Sequence, residues 1–204
     1  MAGIYFSSDF HFGHVNLVRG CSAWEDKAAC RNFDTLEEHN EILIQNINKM
    51  VSQDSILYCT GDWAMGGFDN VWRFRKRLNV KTIHLVLGNH DNAIRNNKIV
   101  LTDTGYMNLQ NLFTSVNDII SKKIGGQRMF LCHYPMRAWE KASKGSWCLV
   151  GHEHGRLPDY EVNGVKIKTM DIGIDTHSEF RPYHFDEIKE IMDKRSVLKQ
   201  GHHD

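Results

Sequence analysis

The sequence has no surplus of either charge: Lys plus Arg number 25, and so do Asp plus Glu. The formal net charge is zero, so no global field draws the chain to nucleic acid or to a membrane surface. Proline is scarce, with Pro135, Pro158 and Pro182 the whole set. There is no linker, internal repeat or low-complexity tract to divide the chain. Long apolar runs are missing too. None approaches the roughly 20 residues needed to cross a bilayer, and the start, MAGIYFSSDF, lacks the basic stretch and apolar core of a secretory signal. Cys21, Cys30, Cys59, Cys132 and Cys148 are odd in number and include no CxxC pair. That argues against a disulfide framework and for reduced thiols in a cytoplasmic compartment. Cys59, Cys132 and Cys148 lie in apolar runs and read as small core residues. At 204 residues the chain suits one domain with a substantial core, expected over 1–195, followed by a flexible tail over 196–204.

What is abundant is histidine, twelve in all, much of it clustered beside Asp, Asn and Gly. Short apolar runs lead into these clusters. Ile4-Tyr5-Phe6 precedes Asp9-Phe10-His11, and Ile56 to Cys59 precedes Gly61-Asp62. Ile83 to Leu87 precedes Gly88-Asn89-His90-Asp91. Met129 to Cys132 precedes His133-Tyr134-Pro135, and Trp147 to Val150 precedes Gly151-His152-Glu153-His154. Continuous apolar runs of this length read as strands buried on both faces. Asp34-Thr35-Leu36-Glu37 looks like a capping box that opens a helix running to about Met50. A second helix is expected over 70–78, with Arg73, Arg75, Lys76 and Arg77 on a solvated face or, alternatively, in a phosphate-binding patch. Gly125-Gly126 and Asn163-Gly164 read as hairpin turns, and a last helix is expected over 186–194. Strand–helix alternation followed by hairpins predicts an α/β class fold, a four-layer α/β/β/α sandwich with two mixed sheets inside and helices outside.

In such sheets, ligands gather beyond the carboxyl ends of the strands, where all five clusters lie. Carboxylate and amide oxygens mixed with imidazoles suit Mn²⁺, Fe or Zn²⁺ better than an ion that selects thiolates. Asp9 and His11, two apart, are expected on an extended segment with both side chains facing one way, and His152 and His154 repeat that spacing. Asp62 has two carboxylate oxygens with which to bridge two ions.

Taken in order, Asp9-x-His11, Gly61-Asp62, Gly88-Asn89-His90-Asp91, His133 and Gly151-His152-x-His154 resemble the calcineurin-like metallophosphoesterases. The stretch from Asp9 to Asn16, together with Arg181-Pro182-Tyr183 and its sequel, looks like a compact subgroup of small predicted phosphoesterases. The resemblance implies that Asp9, His11 and His154 hold one divalent ion and that Asn89, His133 and His152 hold another, with Asp62 bridging. It makes Mn²⁺ the foremost candidate, with Fe, Zn²⁺ or Ni²⁺ as others. It also implies that His90 binds no metal and stands on the leaving-group side as proton donor. Asp91 is expected to orient the His90 imidazole. Two divalent ions, two carboxylates and a bridging hydroxide leave about +1, which attracts an anionic phosphate, and the hydroxide is the expected nucleophile.

His14 is a candidate contact for substrate phosphate, or else a loop histidine bonded to backbone. Arg137 is a candidate phosphate clamp, or else half of a surface salt bridge. Trp63 is read as core, with a place in the site wall as the alternative. Glu153 is read as pointing away from the ions. Segments 20–32 and 92–111 are expected to form the rim. The leading function is hydrolysis of phosphomono- or phosphodiesters on small nucleotide-like substrates. Nuclease action is the rival within that chemistry, disfavoured by the neutral charge. A non-enzymatic metal-bound scaffold and a closed structural metal site are the rivals outside it. Closed sites are usually four-coordinate and often use cysteine, which is absent from these seven ligands.

Overall fold

The computed structural model describes residues 2–97, 99–102 and 105–199. The elements, in chain order, are β1 (Ile4–Ser7), α1 (Leu36–Met50), β2 (Ile56–Cys59), α2 (Gly67–Arg77), β3 (Thr82–Val86) and α3 (Asn92–Arg95). Next come β4 (Ile99–Thr102), β5 (Gly105–Asn108), β6 (Ser115–Asn117), β7 (Ile120–Ile124), β8 (Gln127–Leu131) and β9 (Trp147–Val150). The chain ends with β10 (Glu161–Val162), β11 (Val165–Lys166), β12 (Thr169–Asp171), β13 (Tyr183–His184) and α4 (Phe185–Asp193).

Two mixed sheets form. The first has the order β13-β1-β2-β3-β6, parallel except for the edge strand β13. The second has the order β12-β9-β8-β7, parallel except for β7. The two-residue period of a strand sends alternate side chains to opposite faces, and the core divides accordingly. Tyr5, Leu57, Cys59, Ile83 and Leu85 pack against Leu43, Ile47, Val71 and Phe74 from α1 and α2. Phe6, Tyr58 and Val86 face the other way, onto Met129, Leu131, Trp147 and Leu149 of the second sheet. The α4 residues Ile188 and Met192 belong to that same inter-sheet core. Register aligns Phe6 with Tyr58 and Tyr58 with His84, so their rings stack at 5.3 and 4.8 Å.

The expected α/β sandwich with two internal sheets is therefore the fold. Its fourth layer is light on helix. Phe130, Cys148 and Val150 on the outer face of the second sheet are covered by Trp139, by Ala142 in a single 3-10 turn, and by Ile167 and Leu198. Within 196–199, expected to be free tail, Ser196 donates its N–H to the Lys166 carbonyl at 2.8 Å and Leu198 is 1% exposed. The remainder, 200–204, lies outside the described residues.

Helix starts moved by a few residues, for local reasons. Thr35, not Asp34, caps α1: its hydroxyl accepts from the Glu38 N–H at 3.1 Å, and the Glu38 carboxylate accepts from the Asp34 N–H. The Thr-x-x-Glu spacing satisfies both free donors one residue later than the box read from Asp34. α2 begins at Gly67 because Gly66 adopts φ 90°, a left-handed cap that glycine enters freely. Its basic face is structural and solvated: Arg75 donates to the carbonyls of Leu112, Leu78 and Lys81, and Arg77 pairs with Glu41. α4 carries a true capping box. His184 accepts from Asp186, Glu187 accepts from the His184 N–H at 2.7 Å, and Arg181 clamps Glu187 at 2.6 Å. The turn at Asn163-Gly164 has φ of 52° and 75°, as a type I′ hairpin requires. No helix among the described residues is long and apolar enough to cross a membrane.

Phe6 is fully buried between the sheets, so Phe6→Ala should cost about 3–5 kcal/mol. Urea denaturation with an unchanged slope and a lowered midpoint is the expected outcome. A midpoint equal to the parent's would refute this account of the inter-sheet core.

Candidate metal centre

The parallel strands of both sheets deliver their following loops to one place. Asp9 and His11 follow β1, Asp62 follows β2, and Asn89 and His90 follow β3. From the second sheet, His133 follows β8, and His152 and His154 follow β9. Backbone bonds sew the loops together: Asp9 N–H to Gly61 O, His11 N–H to Asp62 O, and Gly151 N–H to His133 O, each at 2.9 Å. Further ties cross between the sheets, among them one to Asp9. The His152 N–H donates to the Asp9 carboxylate at 3.0–3.1 Å.

The expected extended geometry of Asp9-x-His11 and His152-x-His154 is not what forms. Asp9, His11, Asp62, His152 and His154 all have positive φ, between 50° and 76°. Side chains with a Cβ avoid that region, at about 1–2 kcal/mol each. The chain leaves each strand abruptly, and a left-handed residue turns the side chain back over the strand end. Two glycines make the packing feasible. A Cβ at Gly88 would lie 2.2 Å from Asp62 Oδ1, and one at Gly151 would lie 2.0 Å from Ser8 Oγ and 2.5 Å from Asp9 Oδ2.

Donors that share an ion at about 2.1 Å stand roughly 3.0–3.4 Å apart. Asp62 Oδ2 lies 3.4 Å from His11 Nε2 and also 3.4 Å from His133 Nε2. His133 Nε2 and His152 Nδ1 lie 2.9 and 3.0 Å from Asn89 Oδ1. The ligand atoms of Asp9, His11 and His154 fall within 4.8 Å of one another, and so do those of Asp62, His133 and His152. Thus the seven predicted ligands meet, and Asp62 links the two groups; a third group of His11, Asp62 and His90 also falls within 4.8 Å, so the His90 ring, expected to stand clear of the ions, lies within ligand reach as well. Bonds at the far nitrogens aim the near ones. His133 Nδ1 meets the Thr60 carbonyl at 2.8 Å and His154 Nδ1 meets Asp175 Oδ2 at 2.7 Å, which leaves Nε2 of each for the centre.

The donor set fits cations. Both ring nitrogens of His11 are buried and have no hydrogen-bond partner among the described residues. An orphaned buried donor or acceptor costs about 1–3 kcal/mol, so it calls for a ligand. With protein groups alone around it, burial pushes the Asp9 carboxyl up to about 7. Burial works to lower His133, but the Asp62 carboxylate beside it wins and holds it up to about 9. Asp62 itself is depressed despite burial, by the bond with His133. Burial, and then Arg31, drive His11 well below the usual imidazole range, so its ring is neutral and keeps one nitrogen lone pair free for a ligand. Cations bound here would supply the counter-charge that ionises Asp9 and would replace the proton on His133.

Other predicted residues fall as follows. The His90 ring lies 5.2 Å from His11 and 5.8 Å from His14, and its backbone N–H holds Asp62 Oδ1 at 2.9 Å. His14 stands beside it, edge-on to Trp24, with its pKa lowered to about 4 by burial and by His90. Asp91 does not orient the His90 imidazole. Its carboxylate is buried and accepts the backbone N–H groups of Asp62, Trp63 and Gly88 at 2.8–2.9 Å. A carboxylate holding three amides straps two ligand loops together and has no reach left for a ring. Arg137 sits outside the cluster, its guanidinium 5.4 Å over the Tyr160 ring in a side groove that Glu153 also lines. Trp63 is fully buried core. Sequence reasoning missed Arg31 and Asp175, which bond to the Asp9 loop and to His154. The run Thr169-Met170-Asp171-Ile172-Gly173 is a sixth apolar strand with a polar end, and that signal pointed to Asp175. Arg31 gave none.

The sequence profile of the calcineurin-like phosphoesterases matches residues 3–191. The chain belongs to the calcineurin-like phosphoesterase family. This phosphoesterase is 24% identical, over 202 residues, to an uncharacterized protein of Methanocaldococcus jannaschii; the match covers 98% of this chain and 96% of that one. A protein of unknown function from Aquifex aeolicus shares the fold at TM-score 0.61 and 19% identity, over 94% of this chain and 100% of that chain. An archaeal phosphodiesterase is a more distant likeness, at TM-score 0.44 and 19% identity, over 83% and 82% of the two chains. The family makes the chain a metal-dependent phosphoric ester hydrolase, and the candidate ligand groups lie where both sheets end.

Gly151→Ala should force Ser8 and Asp9 apart, with an overpacking cost of about 1–3 kcal/mol. Thermal unfolding and metal content should both fall. A variant with parental melting temperature and parental metal content would refute the close approach at this turn.

Proposed function

We propose that the chain hydrolyses small phosphoesters, nucleotide-like mono- or diesters, at a pair of divalent cations. One observation carries this reading: a single oxygen, Asp62 Oδ2, stands 3.4 Å from both His11 and His133, between two otherwise separate donor groups. Asp9, His11 and His154 would hold the first ion, and Asn89, His133 and His152 the second, with Asp62 common to both. The mixed oxygen and imidazole donors favour Mn²⁺, with Fe, Zn²⁺ and Ni²⁺ as other candidates. When bound, the cations supply positive charge for the phosphate and make water an effective nucleophile near neutral pH.

The chain's own groups do the rest. The Asp62 and Asp9 carboxylates are fixed by backbone N–H groups from His90 and His152, so the charge they offer does not drift. His90, its ring 5.2 Å from that of His11, would supply a ring N–H that protonates the leaving oxygen. Asp91 serves that step indirectly, by strapping the Asp62 and Asn89 loops. His14 and Trp24 wall the same side. Flanked by the loops that carry His133 and His152, a groove of about 590 Å³ is lined by Met136, Arg137, Glu153, Leu157 and Tyr160. Its size suits the organic part of a nucleotide-sized ester, with Arg137 and Tyr160 as the planar platform. That assignment gives Arg137 a substrate role away from the reacting phosphate. The domain would extend at least to Leu198 and work in the cytoplasm. The balanced charge disfavours tight binding of DNA or RNA, so nuclease action is the lesser reading.

Metal-stripped protein supplied with Mn²⁺ should hydrolyse bis(p-nitrophenyl) phosphate, and Asp62→Asn should abolish the activity. His90→Ala should lower kcat by about 10²–10⁴-fold, the usual worth of a general acid. Undiminished turnover without any divalent ion would sink the proposal. A steep fall of oligonucleotide affinity with rising salt would instead promote the nuclease reading.

A further inference from the structure

We propose that Arg31 is a positioning residue for the first donor group alone: its guanidinium fixes the loop of Asp9 and His11 and, through Asp175, the ring of His154. The inference rests on the two-cation reading above. Arg31 is 4% exposed and lies in a loop that closes on itself. Its own N–H donates to Leu17 O at 2.7 Å, and its carbonyl accepts from Arg19. A guanidinium offers five N–H donors in a rigid fork, and here each has an acceptor. Nη2 donates to Asp9 O at 2.5 Å and reaches Asp175 Oδ2 at 3.0 Å. Nη1 donates to Phe10 O at 3.0 Å and meets His39 Nε2 at 2.9 Å. Nε donates to Asp175 Oδ2 at 3.0 Å.

Those acceptors are specific to one half of the centre. Asp9 is a ligand, Phe10 links it to the ligand His11, and the oxygen of Asp175 that Arg31 holds is the one that meets His154 Nδ1 at 2.7 Å. No bond from Arg31 goes to Asp62, Asn89, His133 or His152 among the described residues. Asp9 and His11 both sit in the left-handed region; their N–H groups are held by Gly61 and Asp62, and Arg31 supplies the anchor for the carbonyls of Asp9 and Phe10. The support extends into α1. For His39 Nε2 to accept from Arg31, the His39 proton must lie on Nδ1, 3.2 Å from Asn40 Oδ1, which also accepts the Gly13 N–H at 3.1 Å. The positive charge of Arg31 would oppose a nearby cation, but Asp175 neutralises it in place. What remains is geometry. A lysine keeps the charge yet offers three donors at a point, and cannot satisfy acceptors spread over the Asp9 loop, α1 and the turn at Asp175.

The test is calorimetric titration of the metal-stripped full chain with Mn²⁺, for the parent, R31K, D175N and H154A, with thermal unfolding of each as a check on folding. H154A marks the event that belongs to the first donor group. In R31K and D175N that event should weaken about 10–100-fold, while the other stays within about twofold. Equal weakening of both events, or no change in either, overturns the proposal. If R31K does not fold, the milder D175N decides by the same criterion. If the parent takes up a single ion, the two-cation reading fails. Arg31 is then judged on whether that ion, if lost in H154A, also weakens in R31K and D175N.

Discussion

Everything at the centre depends on bringing the strand ends of two sheets close enough for one carboxylate oxygen to serve both. Asp62 Oδ2 faces His11 of the first sheet's loops and His133 of the second's at the same 3.4 Å. That demand explains features which look costly by themselves. Glycine is required at 88 and 151 because a methyl group there would occupy the space of Asp62 and Asp9. Five ligand residues are held at positive φ, together costing about 5–10 kcal/mol, a sum comparable with the whole net stability of a domain. The inter-sheet core offsets that strain. Phe6, Tyr58, Met129, Leu131 and Leu149 are buried directly beneath the strand ends, so the sheets cannot separate without exposing them.

The sequence showed much of this, and the reason is specific. Parallel strands buried on both faces appear as short apolar runs, so their ends are visible as sudden polar clusters. Five such ends pointed to the seven side chains that converge and to the two-sheet fold. The unread parts are those with no period. Asp91 follows His90 directly, yet the loop turns its carboxylate toward the backbone of Asp62, Trp63 and Gly88, a contact between strand ends that no spacing encodes. Spacing alone also implied that Asp9-x-His11 was extended. In a strand a period of two aligns side chains, but here two left-handed residues achieve the alignment by a different path. Arg31 lies in an irregular segment, 144 positions from Asp175 in sequence, and only the folded chain joins them.

The two donor groups differ in depth, and that difference bears on how substrate approaches. Asp9 and His11 are buried, and the first group is tied to α1 and to Asp175 through Arg31. Asn89 is exposed and His152 is partly so, with the half-open Tyr134 ring 4.7 Å away. A rigid, enclosed group holds its ion by geometry, whereas an open one retains water and exchanges more readily. On the proposed reading, an incoming phosphate would meet the Asn89 and His152 side with the least displacement of protein. His90 lies across the centre, near His11 and His14, where a leaving oxygen would emerge if attack runs in line from between the groups. On the proposed two-cation reading, the asymmetry would give the site a direction: entry over the open group and departure past His90 and Trp24, with the buried group as the fixed reference for both.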